Sequence, residues 1–398
     1  MKYEVCIVVP CYKAEFDENE RISFDRLINI LGHYDIYIIA PRRLKGKFGY
    51  LSGVETVCFD DSDFDGRDAY SRLMLSEKLY RRFADYKYML LHQLDVYVFS
   101  DRLKEFCDLG FDYIGAPLPK YLWRNIYEAL GPTEEYCVGN GGFSLRKISS
   151  CLRILTEKEK IYHRSGMGNI FEVGEDEFWG YCGNSEGIDF SVPPIDLASR
   201  FSMEAYEKKR FSEFPDDLPF GCHGWPREPW NKVWKPYVFS EGDADESVIR
   251  FCDNYTFKRK LDFVIDSMIK KDELLLLGAS IRGMLTGKTV SIWGYGKYGH
   301  ILSTLIQSEH IPLKRIIDAK VKTEDVGGKS VVTPDEFFVD PSDDFVIISS
   351  LEYEEEIEMK LEEMGYRIND DYVKCSELFG KMITHLFQKD LDQVYLTA

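Results

Sequence analysis

Two acidic residues and one histidine stand where they could hold a cation or move a proton. Asp95 closes the apolar run in YMLLHQLDVYVF, which puts a hard oxygen ligand at a rigid strand end, where a divalent cation bridging two phosphates would need one. His223, in PFGCHGW, carries an imidazole that completes such a coordination set, and Trp225 or Trp230 offers an aromatic wall beside it. GEDEFWG opens with Glu175, Asp176 and Glu177, and the apolar Phe178 and Trp179 make this helix start face a core or cleft. A carboxylate turned inward there can accept the proton of an attacking hydroxyl, with Asp176 as the base and Glu175 beside it. VGNGGFSLRK supplies Gly139, Asn140, Gly141 and Gly142, a run that permits unusual dihedrals, lets backbone approach a ligand closely and is expected to bend into an amphipathic helix near Ser144. Each segment also has an ordinary reading: a turn cap, a packed histidine, a solvated helix start, a common glycine bend. Their order along one chain sets them apart from those readings, while His92 is taken as a structural neighbour.

The elements that must position these residues follow from periodicity. Tyr3 to Pro10 is a β-branched run stopped by proline, the signature of a buried parallel strand. A helix from Phe24 to Leu31, the strand DIYIIAP ending at Pro41, and VETVCFD ending at Asp60 come next. Leu73, Leu75, Leu79 and Phe83 recur at helical spacing from Asp68 to Phe83 and lead into the strand before Asp95. Strands alternating with helices predict an α/β fold with a mostly parallel sheet, and ligands of such sheets bind beyond the carboxyl ends of the strands. Residues from about Pro193 to Pro236 read as ordered loops closing over a site. From Asp245 to Gly283 the pattern is helical, with Phe251, Leu261, Val264, Ile265 and Met268 on one apolar face. The expected division is a first domain at 1–244, a helical connector at 245–286 and a smaller Rossmann-like α/β domain at 287–398.

That last domain opens on GYGKYG, in which Gly294, Gly296 and Gly299 satisfy G-x-G-x-x-G between a strand and a helix, and Asp318 follows the next strand. The pattern predicts a nucleotide-like site of unknown ligand. Tyr295, Lys297 and Tyr298 crowd the turn, and no substrate-side acid or base accompanies it, so an NAD-dependent oxidoreductase ranks below a transferase. The end, QKDLDQVYLTA, reads as a frayed tail.

The formal charge of −18 over 398 residues argues against nucleic acid as a partner, because long-range repulsion opposes association. A phosphate-bearing ligand then needs a metal, an arginine or backbone amides. Ten cysteines without a C-x-x-C pair read as reduced thiols. No apolar run reaches the length of a membrane span, and MKYEVCIVVP enters a strand without a leader pattern, so the expected location is cytoplasmic, peripheral at a membrane at most.

RLMLS, QLD, GNGGFSLR and PFGCH together give residues 1 to about 240 a motif-level likeness. The region resembles GT-A glycosyltransferases, in particular a bacterial group of largely uncharacterised members, and more distantly the Golgi β-galactosyltransferases. The resemblance implies a GT-A-like nucleotide-sugar domain and a divalent metal, Mn2+ or Mg2+. Carried over, Pro10, Tyr12, Tyr70, Arg72, Gln93, Gly141, Gly142 and Trp225 would bind the nucleotide-sugar. Asp95 and His223 would hold the metal, and Asp176 would be the base. Gln93 departs from the pattern, standing where the first acid of D-x-D is expected. The implied reaction moves a hexose, UDP-linked in its donor, to a hydroxyl of a glycan, glycolipid or glycoprotein, with inversion. A noncatalytic nucleotide-sugar-binding or partner-binding module is the alternative.

Overall fold

Apolar runs form the central strands, and Pro10 and Pro41 end the first two. The computed structural model describes residues 3–119, 136–165, 174–204, 218–227, 230–239, 261–262, 265–266, 278–320, 325–326, 329–339, 341, 344–351 and 353–380. The chain divides into two units, Met1–Thr256 and Phe257–Ala398.

The first unit holds strands β1 (Tyr3–Pro10), β2 (Asp35–Pro41), β3 (Glu55–Phe59), β4 (Tyr86–His92), β5 (Val96–Val98), β6 (Tyr113–Gly115), β7 (Pro117–Pro119), β8 (Tyr136–Val138), β9 (Phe143–Lys147), β10 (Ser202–Met203) and β11 (Gly221–His223). The main sheet runs β3-β2-β1-β4-β9-β6. The first four strands are parallel, and β9 enters antiparallel to both β4 and β6. Alternate residues of β1 and β4 feed two cores: Val5, Ile7, Val9, Tyr88 and Leu90 face one, while Cys6, Val8, Met89 and Leu91 face the other. Burial on both faces is why these strands read as continuous apolar runs. A three-stranded sheet, β10-β11-β5, and the hairpin β7-β8 complete the unit.

The predicted α/β class holds, with three local differences. The helix expected from Phe24 begins at Glu18, because Asp17 and Glu20 form a reciprocal capping box that satisfies the first free amides. The helix expected from Asp68 to Phe83 breaks into Arg67–Met74 and Glu77–Arg82, since Ser76 is extended and donates its hydroxyl to the Leu73 carbonyl. The helix expected near Ser144 is the strand β9. FSLRK alternates, with Phe143 and Leu145 in one core and Ser144 and Arg146 on the opposite side, and the helix follows at Ile148–Thr156.

In the second unit, β12 (Val290–Trp293), β13 (Leu313–Ile317), β14 (Asp325–Val326), β15 (Lys329–Val332), β16 (Phe345–Ile348) and β17 (Tyr372–Lys374) make a sheet of order β14-β15-β13-β12-β16-β17. It is parallel apart from β14. Gly294 turns with φ 101°, and a side chain on Gly299 would run into the Gly294 carbonyl, so the helix Lys297–Ser308 packs tightly against the turn. Asp318, the acid of the expected nucleotide-like site, accepts the Tyr295 amide at 2.7 Å and the Lys320 amide at 2.7 Å, which ties its carboxylate to the turn itself. Leu261, Ile265, Ile281 and Leu285 are buried in the core of this unit. Most of the proposed connector at 245–286, including Phe251, Val264 and Met268, lies outside the described residues, as does the tail QKDLDQVYLTA. No helix among the described residues is long and apolar enough to cross a membrane.

Candidate functional site

Gln93, Leu94 and Asp95 turn the chain between β4 and β5, at the carboxyl end of a central parallel strand. The turn is pinned on two sides: the Gln93 amide donates to the Gly142 carbonyl at 2.9 Å, and the Trp225 amide donates to the Asp95 carbonyl at 3.3 Å. β11 lies antiparallel to β5 with His223 opposite Val96, which brings the imidazole beside Asp95. His223 Nε2 is 3.1 Å from Gln93 Oε1 and 3.2 Å from Asp95 Oδ1.

The third wall is the bend between β8 and β9. Asn140 adopts φ 62°, a left-handed conformation that a short polar side chain tolerates, and its Oδ1 accepts the amides of Gly142 and Phe143 at 3.1 and 3.2 Å. Its Nδ2 faces His223 Nδ1 at 3.1 Å and donates to Glu204. A side chain on Gly142 would occupy the His223 ring, and one on Gly141 would strike the Glu175 carboxylate, so both glycines are required by close approach.

His223 is buried, which by itself lowers its pKa, but the neighbouring Asp95 and Glu204 outweigh burial and push it up to about 10. Burial raises the Asp95 carboxyl, yet His223 and Arg227 hold it well below the usual carboxylate range. Arg227 Nη2 contacts Asp95 Oδ2 directly, and its Nη1 lies 3.8 Å from Glu204 Oε1. His92 stays neutral: burial takes it down to about 4 and its ring nitrogens have no hydrogen-bond partner, in keeping with a packed neighbour against Phe143.

The donor set fits a small divalent cation. Two hard oxygens and an imidazole nitrogen converge, with a glycine behind them where no Cβ fits. In the absence of a cation His223 carries both ring protons; a cation would displace the one on Nε2 and take that lone pair, while Nδ1 still faces Glu204 Oε2 at 3.3 Å, and a carboxylate on the far ring nitrogen is the usual support of a metal-binding histidine. No group of three or more His, Cys, Asp and Glu suited to a metal occurs among the described residues.

The remaining expected residues fall into place unevenly. Tyr70 joins the cluster, with its hydroxyl 3.2 Å from Gln93 Nε2; burial first, and then the Glu175 charge, raise its pKa. Pro10 ends β1 half-buried, and Tyr12 is 62% exposed beyond it. Arg72 is exposed and makes no ion pair among the described residues. Asp176 is half-buried at the start of the helix Glu175–Asn184.

Two assignments are corrected. Glu175, expected as a catalytic carboxylate, is buried, and both its oxygens are held by Arg146 Nη2 at 3.0 and 3.2 Å. Burial pushes its carboxyl up and Arg146 opposes that, so Glu175 shapes the floor under Gly141. Trp225, expected as a sugar wall, is fully buried and donates its indole N–H to Ser23 Oγ at 2.8 Å. Gly224, with φ 69°, turns Trp225 into the core while Arg227 returns over Asp95.

Sequence reading alone did not pick out Arg146, Glu204 or Arg227. The first lies in VGNGGFSLRK and the third just after His223, but Glu204 sits in no motif.

A family described as protein of unknown function (DUF5672) matches residues 53–223. Among solved structures, the chain is similar to the galactosyltransferase LgtC in complex with donor and acceptor sugar analogues, at 13% identity and TM-score 0.40 over 59% of this chain and 94% of that one. It is similar also to the apo form of the glycosyltransferase GlyE of Streptococcus pneumoniae TIGR4, at 14% identity and TM-score 0.36 over 96% and 98% of the two chains. A third is the apo bifunctional glycosyltransferase WbbM, at 15% identity and TM-score 0.34 over 56% and 46%. No curated protein matches the chain.

Proposed function

We propose that the chain transfers a hexose from a nucleotide diphosphate-sugar, UDP-linked, to a hydroxyl of a glycan, glycolipid or glycoprotein, with inversion. The observation that carries this reading is the convergence of Gln93, Asp95 and His223 within 3.2 Å at the carboxyl end of β4, beside the Gly141–Gly142 bend. Gln93, Asp95 and His223 would hold Mn2+ or Mg2+, which when bound supplies positive charge to the departing diphosphate.

The chain's own residues divide the remaining work. Asp176 takes the acceptor proton as the acceptor oxygen bonds to the anomeric carbon and the bond from that carbon to the phosphate oxygen breaks. Its half-buried setting supports this role better than the locked setting of Glu175. Glu175 and Arg146 fix Gly141, so the bend meets the sugar in one conformation. Pro10 and Tyr12 would line the nucleotide, Tyr70 and Arg72 would contact uracil or phosphate, and Gln93, with Oε1 toward the cation, would offer its Nε2 to the ribose.

Asp176→Asn is expected to keep donor affinity and to lose about 10²- to 10⁴-fold in transfer, the usual worth of a positioned base. Product formation and UDP-sugar binding, measured on the same preparation, check this. Transfer at the parental rate would remove Asp176 from the mechanism.

A noncatalytic sensor of nucleotide-sugars is the second reading, favoured by Gln93 in place of an acid and by Arg227 on the Asp95 carboxylate. Stabilisation by a UDP-sugar, with neither donor hydrolysis nor transfer to any offered acceptor, would select it.

A further inference from the structure

Asp95 is gripped from both sides. Oδ1 faces His223 Nε2 at 3.2 Å, and Oδ2 is taken by the guanidinium of Arg227. Arg227 is the most exposed of the three: its side chain is 55% exposed, against 20% for Asp95 and 6% for His223. A second acceptor already lies within reach, since Glu204 Oε1 is 3.8 Å from Arg227 Nη1 while Glu204 Oε2 is held by Asn140. Gly224 makes the placement possible, because its φ of 69° closes a turn in which the Arg227 amide donates to the Gly224 carbonyl at 3.0 Å.

Charge decides the consequence. Once a cation has displaced the Nε2 proton of His223, Asp95 and Glu204 bring one negative charge each, a pair that matches one divalent cation, and Arg227 cancels one of the two. A guanidinium and a divalent cation a few ångströms apart repel, so both cannot rest on the same carboxylate at full strength.

We propose that Arg227 is an internal competitor for the cation site, held on Asp95 and passed to Glu204 when a divalent cation takes the carboxylate. This rests on the reading of Gln93, Asp95 and His223 as the cation's donors. The arrangement makes the site weak for a cation alone and keeps Asp95 paired in its absence. Arg227 acts through Asp95, as a tuning residue, and takes no part in bond making.

The test is titration of full-length protein with Mn2+ and no nucleotide, followed by the electron-paramagnetic-resonance signal of free Mn2+. Wild type, Arg227→Gln and Arg227→Lys are compared, with thermal melts to establish that each is folded. Removing one charged hydrogen bond from the competition should tighten Mn2+ binding about tenfold in Arg227→Gln. Arg227→Lys keeps the charge without the planar fork and should fall between the two. Equal or weaker Mn2+ binding by Arg227→Gln, with wild type binding measurably, overturns the competition alone. Failure of all three folded proteins to bind Mn2+ overturns the cation reading and this inference with it.

Discussion

Asp112 joins three separated segments through one carboxylate. It accepts from Ser150 Oγ at 2.6 Å, from the Ser191 amide and hydroxyl at 2.9 and 3.0 Å, and from Lys147 Nζ at 3.2 Å. Burial raises its pKa, but these hydrogen bonds outweigh burial and hold it below its ordinary 3.8. A depressed folded-state value contributes stability that is fully present above the unfolded carboxyl's pKa and is lost as pH falls through the folded one. Urea midpoints between about pH 5 and pH 2 should therefore drop less steeply for Asp112→Asn than for the wild type. Parallel slopes would show that Asp112 titrates alike in both states. Asp95 and His223 were legible as chemistry because each ends an apolar run. Glu204 was not, since its meaning comes from a pairing with Asn140, 64 positions away, that no local pattern encodes.

The strands β1, β2 and β4 were readable because burial on both faces leaves uninterrupted apolar runs, and prolines end the first two. β9 was not. Five residues behind a glycine bend do not separate a strand from a helix start, and what settles the matter is pairing with β4, His92 opposite Phe143. That pairing sends Arg146 inward, where it meets Tyr80, Ser144, Gly141 and Glu175 with no exposed surface of its own. A buried ion pair costs much desolvation, and losing one partner leaves the other charge uncompensated. Arg146→Met should cost about 3–5 kcal/mol by chemical denaturation, while the double variant with Glu175→Gln should recover part of that, because no lone carboxylate is then buried. Equal losses in single and double variants would mean that Arg146 contributes packing and no charge compensation.

Two units make up the chain, and the residues Leu261, Ile265, Ile281 and Leu285 explain why their boundary was hard to place from sequence. The helical periodicity through Leu261 and Ile265 was plain, but which core these four residues enter is a tertiary fact, and they enter the second. The glycine turn of that unit was legible as strand, bend and helix. Its acid, Asp318, was legible in position and not in task, since a spacing rule cannot say that the carboxylate will accept the Tyr295 and Lys320 amides. For the whole protein, a formal charge of −18 means that an anionic donor has to be met by local positive charge, which is why the cation site is the centre of the account. The most direct measurement is cleavage of a panel of nucleotide diphosphate-sugars by the full-length chain, with and without Mn2+, in wild type and in Asp95→Asn. The account predicts slow release of UDP from at least one UDP-hexose that requires Mn2+ and falls at least about tenfold in Asp95→Asn. Release that is indifferent to both Mn2+ and Asp95, or no binding and no cleavage of any nucleotide-sugar by folded protein, would contradict it.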